Sequence, residues 1–254
     1  MDEERSENTI DAYVSSVRLF FSSFDDLTKT NMLAYKHQQM EQWKPKTANA
    51  RVIAMNKYAE YAGKPECKIK GVKIHKSSAI ENVITMEEYE RIRNGLLADG
   101  NEKGYWMITY LAKTGARVSE LIRLDKSCFD RGYCEMWTKG KIRRIYVPKS
   151  LIAESRPFFD RQDSNVLFLN RYGDPMSTRG VAQSIHAWAE RYGVRPEVAH
   201  PHSFRHLFAK EFLKRNNNIS LLADVLGHSS VDTTAIYLKM SREEQMEAFN
   251  NAMG

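Results

Sequence analysis

From position 8 to 24 the apolar residues Ile10, Tyr13, Val14, Val17, Phe20 and Phe21 recur three and four apart. That spacing is one face of a helix, with Ser6 and Glu7 in front as start signals. The same period predicts a second helix over 27–43 and a third over 47–61, ended by Gly63 and Pro65. Then the period is lost: KPECKIKGVKIHKSSAIENV, 64–83, carries no sustained helical stripe and reads as a connection between domains. A helical pattern resumes at Thr85, where TMEE supplies an N-cap and early acids. Helices are expected near 86–98, 102–114, 117–124, 178–192, 202–216, 219–227, 231–240 and 242–252. The period changes to two in YCEMWT (133–138) and IRRIYVP (142–148), two strands closed by a short turn at Gly140, and VLFL (166–169) predicts a further strand. The fold expected is mainly α with a small β-sheet. It comprises a helical domain over 1–70, a basic linker over 71–83 and a mixed α+β domain over 84–254.

Composition narrows the classes. A chain of 254 residues, 42% hydrophobic and 28% charged, is globular rather than disordered, and its length favours two domains, since single cores seldom exceed about 250 residues. No apolar run approaches the roughly 20 residues that span a bilayer, and MDEERSEN is unlike a secretory signal, so a cytoplasmic protein with no membrane partner is expected. Cys67, Cys128 and Cys134 fit neither a disulfide framework nor a metal-ligand spacing and read as reduced core residues. There is no phosphate-binding glycine loop, so no nucleotide cofactor is implied. The net charge of +6 is a mild excess whose placement matters more than its size. Lys64, Lys68, Lys70, Lys73 and Lys76, with His75, face only Glu66 and Glu81 in 64–83. The hairpin region holds Lys139, Lys141, Arg143, Arg144 and Lys149 without an acid. Both suit a phosphate backbone, and a solvated spacer is the plain alternative for the first.

Four separated pieces carry candidate chemistry: TGARVSEL (114–121), TKGKIRR (138–144), HPHSFRH (200–206) and LGHSSVDTTAIY (226–237). On a helix through 202–212, Phe204, Leu207, Phe208 and Phe212 make an apolar face and leave His202 and Arg205 as a polar pair that folding does not require. If the pieces converge, Arg117 and Arg205 offer planar donor forks for phosphodiester oxygens. His202, His228, Lys139 and Tyr237 add proton donors, a possible base and an oxygen nucleophile. The sequence shows no carboxylate cluster of the kind that holds Mg²⁺, so this inventory points to attack on phosphate with arginine rather than metal stabilising the charge.

The order Arg117, Lys139, His202-x-x-Arg205, His228, Tyr237 resembles the tyrosine recombinases, or phage integrase family. RVSEL around the first arginine, LGHS at His228 and the tyrosine nine positions later all match, and the likeness extends over nearly the full chain. SENTIDAYVSSVRLFFSSF is similar to the opening helix of the family's SAM-like core-binding domain, and VLFLNRYGDPMS to the stretch after its hairpin. The resemblance implies that Tyr237 attacks the scissile phosphate to form a 3′-phosphotyrosyl bond and release a 5′-hydroxyl. By the same resemblance Arg117 and Arg205 hold the non-bridging oxygens, Lys139 protonates the leaving oxygen, His202 accepts or positions the tyrosine proton, His228 donates to the phosphate and Glu120 supports the site. Lys139 is preferred to Lys141 because it matches the K-G pair. Lys68, Lys70, Lys73, Lys76, Lys141, Arg143 and Arg144 are expected on DNA.

The implied partner is double-stranded DNA, closed in a clamp by the two domains. A homo-tetramer on two DNA sites would exchange strands through a Holliday junction, with the tail SREEQMEAFNNAMG docking on a neighbouring protomer. Accessory DNA-bending or directionality proteins fit the same picture, as does nucleoid association. No metal, ATP or other cofactor is expected. The helical domain starts almost at the N-terminus, which points to simple sites without an arm-binding domain or to a trimmed natural N-terminus. Two rival readings are a type IB topoisomerase-like relaxer and a DNA-binding regulator without catalysis.

Overall fold

The structure, a computed structural model, describes residues 7–74, 83–138 and 141–227, with single positions 234, 246, 250 and 253 beyond them. The chain divides into two compact units, Met1–Ser77 and Ser78–Gly254. In the first, α1 (Glu7–Phe21) and α2 (Lys29–Gln42) both pack on α3 (Pro45–Tyr61). Thr28 caps α2 by accepting from the Asn31 amide at 3.1 Å, and Pro45 opens α3 at the position where its missing N–H costs nothing. Phe20, Met32, Tyr35, Val52 and Met55 form the centre of this core.

The sequence expectation for 64–73 needs correction. Instead of beginning a solvated connection, this stretch lies on the first unit, with Cys67, Ile69 and Val72 buried. Its backbone is pinned by side chains: Asn56 bonds both the N–H and the C=O of Ile69, Asn49 accepts from Val72 N–H at 2.8 Å, and Lys36 Nζ donates to the carbonyls of Lys70 and Gly71. Backbone groups withdrawn from water need partners, and α3 supplies them at Ile69 and Val72, while Lys36 of α2 adds bonds to exposed carbonyls.

In the second unit α5 (Glu102–Thr114) is apolar on nearly every side and is accordingly buried, with α4 (Met86–Ala98), α6 (Val118–Leu121), α8 (Lys149–Phe159) and α10 (Pro201–Arg215) around it. Thr85 and Glu88 close a reciprocal capping box on α4, and Asn101 caps α5. The remaining described elements are α7 (Cys128–Arg131), the antiparallel pair β1 (Tyr133–Thr138) and β2 (Lys141–Tyr146), α9 (Thr178–Arg191) and α11 (Ile219–Leu226). The helix α8 was not anticipated. The segment 166–169 is not a strand: Val166 and Leu169 make only isolated bridges, to Asp125 and Pro175, while Leu167 and Phe168 sink into the core. The helices expected at 231–240 and 242–252 lie outside the described residues. Among those described, no helix is long and apolar enough to cross a membrane.

Gly115 ends α5 at φ 62°, and a Cβ there would lie 2.5 Å from the Phe208 ring. Gly132 has φ 76° with nothing within 4 Å of its would-be Cβ. Gly115→Ala therefore combines backbone strain with a clash and should lower stability by about 2–4 kcal/mol, against about 1 kcal/mol for Gly132→Ala. Urea unfolding of the two variants checks the difference, and equal midpoints would contradict it.

Candidate active site

The site grows from helix ends. The last carbonyls of an α-helix have no partner within it and carry the negative end of its dipole. Arg205, 1% exposed in the middle of α10, satisfies two of them: one terminal nitrogen donates to Gly115 O at the end of α5 (2.7 Å) and the other to Leu226 O at the end of α11 (2.6 Å). Two residues beyond the first carbonyl stands Arg117, and two beyond the second stands His228.

Arg117 is the N-cap of α6. Its backbone N–H donates to Glu120 Oε2 at 2.7 Å, and its guanidinium to Glu120 Oε1 at 2.8 Å, while 38% of the side chain stays exposed. Glu120 is buried and also accepts from Arg143, whose second terminal nitrogen donates to Val225 O in α11 at 3.3 Å. Arg143 was expected on the protein surface against DNA, and the structure instead buries it to 8% exposure. The cause is strand alternation. Arg143 shares parity with Ile145 and Val147, all inward, while Ile142, Arg144 and Tyr146 point out. Burial pushes the Arg143 pKa down to about 10, with Arg205 and Arg117 adding repulsion and Glu120 opposing. Among the described residues, Arg117 and Arg143 share the one carboxylate of Glu120, so this pair of guanidinium groups keeps an excess of one positive charge and favours an anion.

At the start of α10, His200 Nδ1 accepts from the Ser203 amide as the N-cap, and the Ser203 hydroxyl accepts from Ile84 N–H at 2.7 Å. His202 is exposed in this first turn and meets His206 edge to face, ring centroids 4.8 Å apart. Burial drives the pKa of His206 down to about 4, helped by His202, His200, Arg205 and Lys210, and burial alone lowers that of His200. Thus the structure brings Arg117, Glu120 and Arg205 to one place, and sets His202 one helical turn from Arg205. Lys139, His228 and Tyr237 lie outside the described residues, as does Lys76. The side chain of Lys141 is likewise outside them. Of the other cations expected on DNA, Lys70 and Lys73 are exposed, Lys68 pairs with Glu60, and Arg144 pairs with Glu135 at 3.0 Å over the Tyr133 ring.

Between pH 6.5 and 4 the unfolded chain protonates its histidine more readily than the folded chain protonates His206, so the contribution of this group to folding stability is whole above pH 6.5 and falls as pH drops through that window. The thermal midpoint of the wild type should fall more steeply across it than that of His206→Gln. Parallel curves would contradict the burial of this imidazole as a neutral ring.

A model of the phage integrase family matches residues 82–244. The tyrosine recombinase XerA of Thermococcus kodakarensis is 28% identical over 262 positions, 98% of this chain and 91% of that protein. The tyrosine recombinase XerC of Haemophilus ducreyi is 37% identical over 141 positions, 52% of this chain and 45% of its own length, so the match spans about half of that relative. Among solved structures, the Tn1549 transposon integrase in complex with transposon right end DNA covers 99% of this chain and 95% of its own at a TM-score of 0.75 and 17% identity. The XerA recombinase crystal structure covers 99% and 94% at 0.59 and 21%. Fold, motif order and family match agree, and this chain belongs to the phage integrase family of tyrosine-type site-specific DNA recombinases.

Proposed function

We propose that the cluster around Arg205 holds a scissile phosphate of duplex DNA while the hydroxyl of Tyr237 attacks its phosphorus. The bond from phosphorus to the 5′ oxygen breaks, and a bond to the tyrosine oxygen forms at the 3′ end. His202 takes or positions the tyrosine proton, Lys139 supplies one to the departing 5′ oxygen, and Arg117, Arg205 and His228 stabilise the charge on the non-bridging oxygens. The energy of the broken linkage stays in the phosphotyrosyl bond, so rejoining requires no nucleotide. The observation that carries this assignment is the double tie from Arg205 to Gly115 and Leu226, which draws the chain at Arg117 and the chain leading to His228 toward one guanidinium. Lys139, His228 and Tyr237 enter by their match to the family pattern.

The helical unit serves as the core-binding domain and closes on DNA with the catalytic domain, assigned here to 84–254, while Lys70 and Lys73 contact phosphates. Four protomers on two sites exchange strands through a Holliday junction, their tails docking on neighbours, with DNA-bending or directionality proteins as further partners. The setting is the nucleoid of the cytoplasm.

Incubating the protein with a randomised pool of nicked duplexes, from which the cut end escapes, should trap an adduct that survives boiling in detergent. Its DNA gives the site, and Tyr237→Phe should yield no adduct while still binding that site. Binding without any adduct from the wild type would overturn the assignment. Affinity for the selected duplex should fall linearly with salt on logarithmic axes, and Lys70→Ala or Lys73→Ala should each reduce the slope by about 0.9. Slopes equal to the wild type would remove those lysines from the interface.

A further inference from the structure

We infer that Arg143 is a positioning residue of the cleavage site, fixing the hairpin that bears Lys139 against Arg117 and the end of α11, an inference that rests on the recombinase reading above. One side chain joins three segments. It rises from β2, four residues after Lys139. It donates to Glu120, the carboxylate that also orients Arg117 through Oε1. It donates again to Val225 O, and its stem lies against Gly227 so closely that a Cβ there would sit 2.5 Å from Arg143 Cδ and 2.7 Å from Nε. Gly227, at φ 63°, is thus required both by its left-handed backbone and by this approach, and His228 follows it directly.

Stability alone does not account for the charge. Arg143 stands opposite Met136 in the hairpin register, with Cys134 and Ile145 buried as the adjoining pair, so an aliphatic residue would continue that apolar face. Replacing a buried ion pair by apolar side chains is often neutral or stabilising, and such pairs are best understood where they fix one arrangement among several. Here the arrangement concerns groups brought from three parts of the chain. Displacing a reacting group by about 1 Å is enough to slow chemistry about 100-fold.

The test compares wild type, Arg143→Met and Arg143→Lys on the duplex selected above, made with an ordinary linkage and with sulfur in place of the bridging 5′ oxygen at the scissile phosphate. Sulfur leaves without a proton, so it bypasses the need for a correctly placed Lys139. Arg143→Lys keeps a charge for Glu120 but lacks the fork that reaches Val225 as well, and it decides the matter if Arg143→Met does not fold. The expected result for each folded variant is DNA affinity within about threefold of wild type. Adduct formation on the ordinary linkage should be slowed about 100-fold, and the defect should shrink at least tenfold on the sulfur linkage. Wild-type rates on the ordinary linkage, or an equal defect on both linkages, overturn the inference. Absence of any adduct from the wild type overturns the recombinase reading itself, and this inference with it.

Discussion

A buried arginine bonded to two helix ends sets the geometry of the second unit's candidate site. Without a donor, the carbonyls of Gly115 and Leu226 would each be left as buried acceptors at the negative poles of α5 and α11, a cost of about 1–3 kcal/mol apiece. Arg205 removes both costs from a helix, α10, that is itself seated by Phe204 and Leu207 in the main core and by Ala209 against Leu222 and Leu226. The guanidinium therefore acts twice: it completes the packing of three helices, and it draws together the chain segments leaving two of them.

That double use explains how a core can tolerate so much positive charge. Arg143 is close enough to both Arg205 and Arg117 to be repelled by them, and it shares the carboxylate of Glu120 with Arg117. Helix-end carbonyls of α5 and α11 add compensation to Arg205 and Arg143 as partial charges rather than full ones. The carboxylate shared by Arg117 and Arg143 leaves that pair short of negative charge, and the scissile phosphate of the proposed reaction is an anion that would meet it. Preorganised donors of this kind need no rearrangement as charge builds on phosphate oxygens, which is how electrostatic stabilisation lowers a barrier.

Legibility in the sequence followed the local signals. The helices at 86–98 and 102–114 were readable to the residue because Thr85, Glu88, Asn101 and Gly115 mark their ends. The helix Lys149–Phe159 was missed: no side chain caps it, and Pro157 reads as a breaker although it falls in the last turn. Residues 64–73 looked like a spacer because their partners, Asn49, Asn56 and Lys36, are distant in sequence. Arg117, Glu120 and Arg205 were identifiable from their motifs, but Arg205 read as a residue that folding does not require, whereas its bonds to Gly115 and Leu226 make it part of the packing, since nothing local announces a tertiary bond across 90 residues. Arg143 is the instructive case. Its parity with Ile145 and Val147 was visible, and reading charge by cluster rather than by strand face put it on the wrong side.

The most direct measurement is a crystal structure of Tyr237→Phe bound to the selected duplex. The account predicts the scissile phosphate within hydrogen-bond reach of the Arg117 and Arg205 guanidinium groups, with Arg205 still tied to Gly115 and Leu226. A phosphate seated away from both guanidinium groups, with the cleaved linkage in an unrelated groove, would contradict it.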